Sequence, residues 1–140
     1  MLKLGGYINI LIAIGHVVSL LWAEQVFELT GIADMMTDLT QIHPSLPYLL
    51  TIGIVAAFLV FGLYGLSADN KIRKLPLLKP VIFTIAGIYL LRGVGGFIPI
   101  IAGPSNYPIL DICYSLVAVF VGLLYLIGGL KKWKTKGDHN

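Results

Sequence analysis

Residues 80–101 read PVIFTIAGIYLLRGVGGFIPII. The run is apolar and near the length of about 20 residues that a helix needs to cross a bilayer. It contains one cation, Arg92. A cation in hydrocarbon costs at least about 2.5–3.5 kcal/mol, so something must offset that cost. Gly93, Gly95 and Gly96 strip the surface beside Arg92 of side chains. Pro99 removes a backbone donor and crowds the carbonyl of Gly95. Gly95, Gly96 and Pro99 therefore predict a kink, with one carbonyl freed to face a neighbour, a water or a ligand.

Three further apolar runs lie near residues 4–23, 47–66 and 109–130. The chain of 140 residues is 57% hydrophobic and 12% charged, against about 25% charged in soluble domains. The four runs take up most of the chain and leave no soluble domain. The sequence predicts an all-α fold, a single four-helix transmembrane antiparallel bundle over residues 1–140. The first run differs from a secretory signal. It is too long for a signal core, carries Asn9 and His16, and ends at Leu21-Trp22-Ala23, a poor cleavage site.

Charge placement predicts the topology. The connection 24–46 carries Glu24, Glu28, Asp34 and Asp38 and no Lys or Arg. The connection 67–79 carries Lys71, Arg73, Lys74 and Lys79, and the tail 131–140 carries Lys131, Lys132, Lys134 and Lys136. With Lys3 these make nine of the ten cations, all on one side of the expected bundle. The positive-inside rule then puts both termini in the cytoplasm and the acidic connection outside. The net charge of +3 is a topology and headgroup signal, and nucleic acid is not an expected partner.

The spans have readable faces. Gly5, Asn9, Ala13, His16, Ser19 and Ala23 recur every three or four residues along the first. In lipid such a small and polar stripe turns inward. In the second, Gly53, Ala56, Ala57, Gly62 and Gly65 offer close-packing surfaces. The fourth opens with Asp111, and Tyr114, Ser115, Ala118, Gly122, Tyr125 and Gly129 follow at helical spacing. Ser19, Gly95 and Ala118 are the expected close contacts of helix 1 with helices 3 and 4. In the outer connection, Ile32, Met35, Met36 and Leu39 fit either a short amphipathic helix or a connector that packs a few side chains.

Depth decides which polar groups can meet. At 1.5 Å per residue, His16 and Arg92 both lie about 18 Å along outward-running helices. Asp111 and Tyr114 enter from the outer side, where an extended guanidinium can approach them. The sequence thus predicts an Arg92 buried in the bundle, near Asp111, Tyr114 and His16, with Ser19 alongside. Two readings stay open. In one, the network only orders the bundle, since buried ion pairs often add little stability. Alternatively, it lines a cavity in which Arg92 recognises an anionic or carbonyl group, because intramembrane ionisable residues are functional by default expectation.

Other chemistry is thin. His16, His43 and His139 share no metal-ligand spacing, and no metal or cofactor is expected. The lone Cys113 cannot form an intramolecular disulfide and reads as a packing residue. Glu24 and Glu28, at i and i+4, read as solvated carboxylates.

From Thr51 to Gly96, the cues FGLYGLS, a basic KIRKLPLLKP connection and YLLRG resemble small bacterial inner-membrane proteins. More loosely, four helices with a histidine in the first resemble the DoxX-like families. The resemblance implies a four-helix bundle, marks Arg92 and Gly93, and implies no activity.

Three function classes remain. One is an accessory membrane protein that binds a membrane lipid, an anionic or lipid-like ligand, another membrane protein or a second copy of itself. Another is an enzyme acting on a lipid, isoprenoid or quinone, with His16 as acid/base and Arg92 as electrostatic stabiliser. The last is a small oligomeric transporter or channel. No second titratable group lies at the depth of His16, and helix 1 has no mid-span carboxylate, which favours the binding protein.

Overall fold

The computed structural model describes residues 1–98 and 109–134. Over these residues the chain is all-α, without strands. Helix α1 spans Leu2–Ser19 and passes through a 3-10 turn at Leu20–Trp22 into α2, Ala23–Leu29. Helix α3 covers Ala33–Ile42, α4 Leu46–Ala68, α5 Leu78–Gly95 and α6 Ile109–Lys134. Four helical stretches are long and apolar enough to cross a membrane: Leu2–Leu29, Leu46–Ala68, Leu78–Gly95 and Ile109–Lys134.

The chain divides into two compact units. The first joins Met1–Ile8 to the chain from Gly62 onward, and the second is Asn9–Phe61.

The first unit is built on α5 against α6. Ile82, Ile85, Ala86, Tyr89 and Gly93 are the buried positions of α5, at i, i+3, i+4, i+7 and i+11, one face of a helix. They pack on Ser115, Ala118, Val121, Gly122 and Tyr125 of α6, all buried. Lipid supplies no hydrophobic drive between helices, so close backbone approach must provide the attraction. A methyl group on Gly93 would stand 2.8 Å from the amide nitrogen of Val119 and 3.0 Å from the Ser115 carbonyl. The start of α1 and the end of α4 meet the same way, since a methyl on Gly6 would lie 2.9 Å from the Gly62 carbonyl. The rings of Tyr89 and Tyr125 stack with centroids 6.5 Å apart.

The basic connection is laced to the end of α4. Asn70 takes a left-handed φ of 59°. Its amide donates to the Ser67 carbonyl, and that of Lys71 to the Leu66 carbonyl. This pair of bonds is a Schellman closure of the helix. The buried Ser67 hydroxyl donates to the Arg73 carbonyl at 3.0 Å and accepts the Leu75 amide at 2.9 Å. Tyr64 donates its phenol to the Pro76 carbonyl at 3.2 Å. These contacts give the motif FGLYGLS…KIRKLPLLKP its structural content.

In the second unit the acidic connection forms a helical hairpin, α2–α3, turned at Gly31 with φ 71°. Of the two alternatives, the amphipathic helix is the one that forms. Met36 is its buried residue, and Met35 is exposed.

Two expectations need correction. The helix of the third run ends at Gly95, with Gly96 as its C-cap, so the expected unbroken helix from residue 80 to 101 is interrupted there. Cys113 is exposed and is not a packing residue. Pro99, and with it the predicted kink, lies outside the described residues, as does His139.

Candidate functional site

Arg92 lies in the last turn of α5, about 5 Å short of the helix end. Its side chain is exposed, which corrects the expected burial in the bundle. The physical reason is the earlier helix end. Ending at Gly95 puts Arg92 in the last turn of α5, where a long side chain can extend past the helix end. A cation there is also favoured by the negative dipole end of α5.

Among the described residues, Gly96 and Ser115 lie beside the guanidinium. A Cβ built on Gly96 would stand 3.0 Å from Arg92 Nη1 and would collide with Ser115 Oγ. Gly95 points into open space and makes no close helix contact. Gly93 and Gly96, rather than Gly95, let α5 and α6 approach.

Ser115 is fully buried, and its hydroxyl has no hydrogen-bond partner among the described residues. An orphaned buried hydroxyl costs about 1–3 kcal/mol relative to a bonded one. The sequence placed Ser115 on the small-polar stripe of the fourth span but offered no reason to set it above Tyr114. That reason is the register of α6 on α5, which comes from Gly93 against Val119 and Ser115.

The other candidates are only partly brought together. Asp111 is half-buried in the first turn of α6, and Tyr114 is 44% exposed. Among the described residues, no hydrogen bond or ion pair joins either to Arg92.

His16 and Ser19 belong to the second unit. The Nδ1–H of His16 donates to the Ile12 carbonyl at 2.9 Å, and its ring lies 5.2 Å from that of Phe58. This bond requires the proton on Nδ1, since a carbonyl only accepts. The Ser19 hydroxyl donates to the His16 carbonyl at 2.7 Å. Both side chains are thus tied to their own helix. Glu24 and Glu28 are exposed, as is His43, whose Nδ1 accepts the Ser45 amide at 3.2 Å.

Among the described residues, no three His, Cys, Asp or Glu side chains converge as metal ligands would. Among the described residues, the arrangement around Arg92 offers hydrogen-bond donors, a buried hydroxyl and positive charge. It can hold an anion or an electron-rich oxygen.

Set against protein-family models, curated proteins and solved structures, the chain has no match.

Proposed function

We propose that this chain is a small multi-pass protein of a bacterial inner membrane that acts by binding rather than by chemistry. Its contact is Arg92, with Ser115 beside it, and its ligand is an anionic or lipid-like molecule held at the outer edge of the bilayer. Both termini are then cytoplasmic, in keeping with the nine cations that flank the spans and the acidic connection 24–46.

The observation that carries this reading is the exposed guanidinium in the last turn of a membrane-crossing helix, joined to no carboxylate among the described residues. A charge so placed is stabilised by whatever anion reaches it. Phosphate and carboxylate oxygens suit a guanidinium because it presents paired N–H donors.

Mass spectrometry of the intact protein, extracted with its surrounding lipid, tests the proposal. Arg92→Met is expected to stay helical and monodisperse while losing an anionic species that wild type retains, and Arg92→Lys to recover part of it. An identical complement of bound molecules in wild type and Arg92→Met would contradict the reading.

A further inference from the structure

At the opposite, basic end of the first unit, a cleft of about 300 Å³ lies between the start of α1, the end of α4 and the last turns of α6. Leu2 and Ala68, both buried, form its apolar wall, and Asp69, Asn70, Lys131 and Lys132 supply its polar groups.

Lys132 is held in place. The Schellman closure satisfies the carbonyls of Leu66 and Ser67. The next carbonyl, that of Ala68, receives the Lys132 ammonium. An ammonium has three donors, so this bond fixes the cation and leaves two N–H groups for a ligand. Its position 5.9 Å from the Trp133 ring centroid restrains it further. Asn70, whose left-handed backbone fixes where its side chain emerges, adds an amide to the same cleft.

We propose that this cleft is a phosphate site and that the phosphate is carried by a phospholipid headgroup. Two ammonium groups against one carboxylate leave the cleft net positive. Lysine binds phosphate as a point charge, and an amide N–H adds a directed bond. The level is that of headgroups, because α4 ends at Ala68 and the basic run of α6 begins at Lys131. A half-buried Trp133 marks the same interface. The site is separate from that of Arg92, and the proposal stands or falls without it.

The test uses the full chain in phosphatidylcholine nanodiscs titrated with phosphatidylglycerol, with inorganic phosphate added to detergent-solubilised protein as the second arm. All variants are made in an Arg92→Met background, which removes the other proposed anion contact, and that background is expected to saturate with one phosphatidylglycerol. Lys132→Gln, which keeps a donor for the Ala68 carbonyl, is expected to weaken binding about tenfold, the size of one charge-assisted bond. Asp69→Asn is expected to strengthen it. Lys134→Gln removes the same charge outside the cleft and is expected to change little.

Binding of inorganic phosphate with the same ranking of variants supports the phosphate chemistry and assigns a soluble source. Should Lys132→Gln not fold, the opposed responses of Asp69→Asn and Lys134→Gln still decide. Binding in neither arm overturns the proposal, and so does an equal loss in Lys134→Gln and Lys132→Gln, or a loss in Asp69→Asn.

Discussion

Arg92 and Ser115 meet across Gly96, and each is energetically incomplete within the described structure. The guanidinium is exposed at a helix end, and the hydroxyl is buried without a partner. The two defects respond differently to substitution. Ser115→Ala removes an unsatisfied polar atom and keeps the Cβ that packs on Gly96. It is expected to raise the unfolding free energy by about 1 kcal/mol, read as a higher midpoint in thermal unfolding of the detergent-solubilised protein. A loss of stability would mean that the hydroxyl is bonded. Gly96→Ala drives a methyl into Ser115 Oγ and is expected to cost about 1–3 kcal/mol, the usual range for overpacking. At this scale the sequence was half legible. A lone cation in an apolar run stands out by its transfer cost, whereas an orphaned serine does not, because the helix register that isolates it is a property of two helices together.

The helices α5 and α6 are held by backbone proximity, and two neighbouring glycines separate that effect from helix propensity. Gly93→Ala would set a methyl 2.8 Å from the Val119 amide nitrogen, so the helices must part. It is expected to lower stability by about 1–3 kcal/mol. Gly95→Ala meets nothing and is expected to stay within about 0.5 kcal/mol of wild type. Equal effects in the same unfolding assay would mean that α5 packs with a different face. The connection between α4 and α5 depends in the same way on Ser67. Ser67→Ala leaves the Leu75 amide without its acceptor and is expected to cost about 1–3 kcal/mol, with faster amide exchange at Leu75 as the local readout. The sequence showed this connection as basic and proline-bounded. It did not show the serine that laces it, because that role depends on chain doubling back over the helix end. The same limit explains the misplaced end of α5. Apolar composition continues through Ile101, so hydropathy alone carries the helix past Gly95.

At the scale of the molecule, the four spans were the most legible feature, since membrane insertion is a sum over composition and needs no knowledge of packing. The acidic hairpin was legible as a pattern and resolved as α2–α3. A direct bond from Arg92 to Asp111 or Tyr114 does not occur among the described residues, because depth along a helix fixes level and leaves rotation and helix length open. The proposed topology puts the basic ends on one side of the membrane and the acidic hairpin on the other. Labelling of intact cells with a membrane-impermeant maleimide, in a Cys113→Ser background, tests that directly. Thr37→Cys, exposed on α3, is expected to react in intact cells. Lys134→Cys, at the end of α6, is expected to react only after the membrane is opened. Labelling of residue 134 in intact cells, or of both positions alike, would contradict the topology and remove Arg92 from the outer edge.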